Sequence, residues 1–196
     1  MSGETTPHGP GRMNGRVVLG AVMVGLLIAS AGCIDEMRAQ GAHNPIPRVE
    51  NPRKIDAIAD RPCELLKPKQ AAEFGLDLPP RQLAGRLGNV ECEWRSSGLD
   101  VWVYISPFTD KLTLEEVYDR REVLLYFEVT EIGGYPAIVS RPEATLPVCD
   151  IDIKPAERQS VTVTYDSTAL HKTPQQACVV GKQVAEAVLK NLPPPS

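Results

Sequence analysis

The fold class this 196-residue sequence predicts is α+β: an antiparallel sheet of about five strands sandwiched with helices and held by two disulfides. Three observations point to it. Several segments alternate apolar and polar residues with the period of two that a strand covered on one face shows. Two Thr-led capping boxes open helical patterns. Four cysteines, Cys63, Cys92, Cys149 and Cys178, follow an export signal, and an even set in an oxidising compartment reads as two disulfides.

The export signal comes first. Arg12 and Arg16 form a basic start, and Val17 to Ile34 then run for 18 residues without a charged side chain. The small residues Ala29-Ser30-Ala31-Gly32 stand directly before Cys33, which is the order a secretory signal needs. Three fates are open: cleavage before Cys33 with lipidation of that cysteine, cleavage after Ala31 at an Ala-x-Ala site, or retention as an anchor of barely spanning length. The cysteine count favours the first. Five cysteines leave one unpaired, and lipidation accounts for the odd one. The expected organisation is therefore a lipoprotein signal peptide over 1–32, lipidated Cys33 with a flexible tether over 33–61, and a single α+β domain over 62–196. Pro45, Pro47 and Pro52 and the lack of an apolar period are what suggest the tether.

Within the domain, Pro68 at a first turn and Gly75 as a stop bracket a short helix over 69–74. Val90 to Arg95 and Leu99 to Ser106, joined by Ser96-Ser97-Gly98, read as a hairpin. Thr113 with Glu116 is a capping box, and Leu114, Val117, Tyr118, Arg121, Leu124 and Leu125 recur at helical spacing behind it. Gly133-Gly134 turns the chain into a strand over 137–140. Two well-patterned strands follow: Cys149, Ile151 and Ile153 alternate with Asp150, Asp152 and Lys154, and Val161, Val163 and Tyr165 alternate with Ser160, Thr162 and Thr164. Thr173-Pro174-Gln175-Gln176 opens the last helix, with Cys178, Gly181, Ala185, Val188 and Leu189 on one face. The pairing expected is Cys63 with Cys92 and Cys149 with Cys178. Each pair joins a helix start to a neighbouring strand, and Cys92 and Cys149 point to the apolar face of theirs.

Chemistry is sparse. A net charge of −4 without a basic run gives no footprint for nucleic acid. Cysteine spacings of 29, 57 and 29 contain no C-x-x-C pair, so no metal is expected, and Gly133-Gly134 lacks the lysine and spacing of a phosphate loop, so no cofactor is expected. His171 is the one histidine of the domain, in a loop and without a G-x-S-x-G elbow, which leaves the catalytic set empty. Of the carboxylate pairs Glu91/Glu93, Glu115/Glu116 and Asp150/Asp152, the last shares a strand face that could bind a cation or serve as an acid/base pair, but polar residues on the wet face of a half-buried strand need no further explanation and are the preferred reading. Trp102 and Tyr104, opposite the face of Val101, Val103 and Ile105, are the candidate binding surface.

The order of Cys63-x-Leu65-Leu66, Phe74-Gly75-Leu76, Cys92-Glu93-Trp94, Gly134-Tyr135-Pro136-Ala137, Cys149 and Cys178 ahead of Asn191-Leu192-Pro193 resembles the actinobacterial lipoproteins catalogued as domain of unknown function 3558. The likeness covers nearly the whole domain, while Ser30 stands where those lipoproteins usually carry an aliphatic residue. The resemblance implies an exported, lipid-anchored envelope protein with two disulfides and no assigned activity, and the element order is similar to PsbP/Mog1-type sandwiches. The expected function is a non-catalytic binding or interaction module at the extracytoplasmic face of the cell membrane. Its partner would be a small molecule, lipid, glycan or protein, and the competing expectation is an envelope hydrolase or transferase.

Overall fold

The computed structural model describes residues 46–98, 100–168 and 172–194. A 3-10 turn over Pro62–Leu65 precedes α1 (Pro68–Glu73), β1 (Arg81–Ala84), β2 (Val90–Arg95) and β3 (Trp102–Phe108). Then come α2 (Leu114–Asp119), a second 3-10 turn (Arg121–Val123), β4 (Tyr126–Ile132), β5 (Tyr135–Arg141), β6 (Val148–Ala156), β7 (Gln159–Asp166) and α3 (Pro174–Leu189). The strands form one seven-stranded sheet in the order β1-β2-β3-β7-β6-β5-β4, antiparallel throughout. The class is as expected, and the sheet is larger than the alternation suggested.

The two added strands have different causes. β1 is a four-residue edge strand, Arg-Gln-Leu-Ala, too short to show a period. β4 was hidden by the helical spacing that runs on to Leu125, whereas α2 ends at Asp119. What makes β4 a strand lies after it. Gly133 and Gly134 have φ of 59° and 85°, the positive values of a two-residue hairpin turn whose twist suits antiparallel strands. The turn zips Ile132 to Tyr135 and onward to Tyr126 opposite Arg141.

One face of the sheet is the main core. Trp94, Val103, Ile105, Ile151, Val163 and Tyr165 are buried there, each aliphatic side chain contributing about 1.5–3 kcal/mol by leaving water. α3 lies across it, capped by Thr173, whose hydroxyl accepts from the Gln176 amide at 3.2 Å. A Cβ on Gly181 would stand 2.5 Å from Ile151 Cδ1 and 3.3 Å from Tyr165 Cβ, so glycine lets the helix settle onto the strands. Both disulfides form on this face as expected. Cys63–Cys92 has a Cα separation of 4.9 Å and Cys149–Cys178 one of 5.1 Å.

The folded unit begins earlier than Pro62. Residues 46–61 are not a free tether: Ile55 and Ile58 enter the main core, and Ile46 packs with Leu114, Val117 and Ile138. The Arg53 amide donates to the Pro155 carbonyl at 2.8 Å, the Ile55 amide to Gln159 Oε1 at 2.9 Å, and Gln159 Nε2 to Asp56 Oδ2 at 2.9 Å. Pro47 and Pro52 separate Ile46 from Ile55, and Ile55 with Ile58 is too short a pair to establish a period, so sequence pattern carries no sign of this strap.

Candidate functional site

The second face of the sheet carries the polar partners of the alternating strands, and α2 shields only one side of it. Leu114 and Val117 of α2 are buried with Ile138 of β5. Beside them opens a cleft of about 470 Å³, within the size range of small-ligand sites. Its floor crosses five adjacent strands, from Glu91 on β2 through Ser106 on β3, Thr162 and Thr164 on β7, and Asp150 and Asp152 on β6, to Ser140 on β5. Arg86 and Leu87 of the β1–β2 turn form one wall, and Val117, Arg120, Val123 and Leu124 form the other.

Register organises the floor into two rows. Ser106, Thr162 and Asp152 face one another across β3, β7 and β6, and Thr164, Asp150 and Ser140 do so across β7, β6 and β5. In each row a threonine hydroxyl donates to the neighbouring carboxylate. Thr162 Oγ1 reaches Asp152 Oδ1 and Thr164 Oγ1 reaches Asp150 Oδ1, both at 2.6 Å. Ser140 is 3% exposed and Ser106 8%, yet neither hydroxyl has a hydrogen-bond partner among the described residues. Neither oxygen is sealed from solvent: both open onto the cleft, at positions where a ligand or water can bond.

Burial dominates the electrostatics. Asp152, 4% exposed, is pushed up to about 7 by loss of solvation, with the Asp150 charge adding to the shift and the Thr162 hydroxyl and Arg120 partly offsetting it. Asp150 is raised by burial as well, against the Thr164 hydrogen bond. Lys154, next along the same strand face, does not neutralise them. Its ammonium is held at 2.8 Å by Glu115 and at 2.8 Å by Glu157, and although burial opposes its charge, these two carboxylates keep its pKa above the usual lysine value. At the end of the cleft Leu112 adopts φ 51°, a strained conformation for a bulky residue, and its carbonyl accepts from the buried Ser160 hydroxyl at 2.6 Å.

The residues singled out from sequence fall in different places. Cys33 and His171 lie outside the described residues. The four disulfide cysteines sit on the opposite face of the sheet from the cleft. Trp102 and Tyr104 share the cleft's face but do not line it: both are half-buried, and Tyr104 titrates above its usual value because of burial and then the Glu93 carboxylate beside it. Glu93 is itself bridged to Arg81 and Arg95. Glu116 caps α2, accepting from the Thr113 amide at 2.9 Å. Asp150 and Asp152, expected on a wet face, are instead largely enclosed, because α2 and the β1–β2 turn rise on either side of them. The acids of β6 alternating against the threonines of β7 were visible in sequence, but their pairing needs the register. Among the described residues no three His, Cys, Asp or Glu side chains converge to hold a metal ion. No described helix is long and apolar enough to cross a membrane.

Neither a curated protein nor a solved structure matches this chain. A family does, over residues 29–191, which takes in the disulfide cysteines, the cleft and Cys33. The chain belongs to that family, described as protein of unknown function (DUF3558).

Proposed function

We propose that this chain is an exported lipoprotein, anchored through Cys33 to the extracytoplasmic face of the cell membrane, whose domain binds a small molecule in the sheet-face cleft. The anchor is supported by Arg12, Arg16, the uncharged run over 17–34 and Ala31-Gly32-Cys33. With Cys63, Cys92, Cys149 and Cys178 paired, Cys33 is the odd thiol that lipidation uses. The observation that carries the binding reading is the floor of the cleft, where two carboxylates and the hydroxyls of two buried serines, neither bonded to another described residue, are held in register between walls that carry Leu87, Val117, Val123 and Leu124 beside Arg86 and Arg120. A helix-covered antiparallel sheet with this element order also supports kinship with the PsbP/Mog1-type sandwiches.

Two measurements test the proposal. Cys33→Ala should move the protein from the membrane fraction to the soluble fraction, and equal partition with wild type overturns the lipid anchor. Native mass spectrometry of protein purified from its own envelope should show a small-molecule adduct that Ser140→Phe, which fills the floor, removes. An adduct that survives Ser140→Phe places the ligand elsewhere.

One observation favours the competing reading of a hydrolase or transferase. Asp152, held near 7, beside Asp150 is the kind of carboxylate pair that serves as acid and base. Under that reading the adduct leaves the protein chemically altered, and Asp152→Asn abolishes the alteration while leaving the adduct in place.

A further inference from the structure

We infer that the cleft takes a primary ammonium group carried on an apolar body, the ammonium seated at Asp150 and Asp152 and the body against Leu87, Val123 and Leu124. The inference rests on the reading of the cleft as a ligand site and adds the chemical class of the ligand.

Donor and acceptor accounting supports it. Thr162 and Thr164 give their protons to Asp152 and Asp150, so what they offer the cleft is lone pairs. Ionised, the two aspartates add only acceptor oxygens, and the cleft's third carboxylate, Glu91, stands three strands away on β2. Ser106 and Ser140 can turn either way. An ammonium brings three donors and no acceptor, so none of its atoms opposes a lone pair of the floor. A sugar hydroxyl brings an acceptor with every donor and fits this inventory less well. A carboxylate or phosphate is repelled by it.

Charge leads to the same class. The charged groups that line the cleft with the aspartates are Glu91, three strands away on β2, Arg86 of the β1–β2 turn and Arg120 from the end of α2, whose charge acts on Asp152. Both arginines are exposed on the walls, and Arg120 Nε is engaged with the Glu116 carbonyl at 3.2 Å. Lys154 is occupied by Glu115 and Glu157. Once Asp152 ionises, near pH 7 and above, the floor holds negative charge with no cation of its own, Arg120 acting on it only from the wall. Among the described residues a metal ion lacks the convergent ligands it needs, whereas an ammonium on a chain requires only directional hydrogen bonds. The apolar body follows from the mouth, where Leu87 is 48% exposed on one wall and Val123 76% exposed on the other. Large aliphatic side chains left in water on both lips of a polar-floored cleft suit a ligand that covers them.

The test uses three probes with one tail, n-octylamine, n-octyl glucoside and octanoate, each below its micellar concentration and titrated into the mature chain by calorimetry and amide NMR. Octylamine should bind about tenfold tighter than octyl glucoside, with octanoate weakest, and should shift the amides of Asp150 and Thr162. Its affinity should rise about tenfold between pH 5 and pH 8 while the amine stays protonated, because the ammonium favours the ionised aspartates. The near-isosteric Asp150→Asn/Asp152→Asn pair should weaken octylamine about tenfold and leave octyl glucoside within about twofold. The pH profile of the wild-type protein tests the same point should that variant not fold. Octyl glucoside or octanoate binding the cleft as tightly as octylamine, or octylamine binding without regard to pH, overturns the ammonium while the cleft remains a ligand site. Cleft amides unmoved by all three probes overturn both.

Discussion

The two faces of the sheet are made by the same strands, yet only one of them is closed. Cys149, Ile151 and Ile153 of β6 meet α3, and the residues between them, Asp150, Asp152 and Lys154, meet the other side. The difference lies in the covering helix. α3 has 16 residues and is about 24 Å long at 1.5 Å per residue. α2 has six residues and reaches about 9 Å, while the cleft floor crosses five strands, about 19 Å at 4.8 Å per interval. A helix that short cannot roof that width. The uncovered remainder keeps its polar side chains, so the pattern that makes a core on one face makes a cleft on the other.

The largest expected effect breaks this comparison on the cleft side. Folded Asp152 holds its proton up to about 7, against 3.8 for the unpaired group, so between these values the folded state binds the extra proton and this residue lowers stability as pH rises. Asp152→Asn removes that term. The variant should match wild type near pH 4 and exceed it by up to about 4 kcal/mol at pH 8, from about 1.4 kcal/mol per pKa unit. Urea unfolding at the two pH values measures the gap, and a gap that does not grow with pH means that Asp152 is solvated.

On the closed face, Cys149→Ala/Cys178→Ala should cost about 3–4 kcal/mol by freeing a loop of 29 residues in the unfolded chain. That corresponds to a drop in Tm on the order of 10 °C by calorimetry. Ile151→Val, a single methylene against Gly181 of α3, should cost about 0.5–1.5 kcal/mol. Ser140→Ala, equally buried but on the cleft floor with no partner to lose, should stay within about 0.5 kcal/mol of wild type and weaken ligand binding instead. Equal losses from Ile151→Val and Ser140→Ala would show that the two faces are packed alike.

Much of the closed face was legible in sequence. Alternation in 149–153 and 161–165 marked the strands, the Thr173 capping box marked α3, and cysteines at a helix start and on apolar strand faces identified both disulfides. Each is a local signal, carried by residues within one or two turns of each other. The strap over 46–61 was not legible, because Ile46, Ile55 and Ile58 have no common period and their partners are distant in sequence, Ile46 packing with Leu114, Val117 and Ile138 and the Ile55 amide bonding Gln159. β4 does not show in the sequence because Leu124 and Leu125 extend a helical spacing that only pairing with β5 overrides.

By itself, then, the amino-acid sequence determined the class of fold, the disulfide pairs and which residues of each strand share a face, since backbone geometry dictates side-chain alternation wherever a strand lies. The tertiary structure alone decided that Asp150, Asp152, Ser106 and Ser140 line one cleft and that Trp102 and Tyr104 stand outside it. The physical reason is that a polar strand face is wet or enclosed according to what covers it. The cover here is the end of a short helix and the turn of a distant hairpin, brought together only by the register of seven strands.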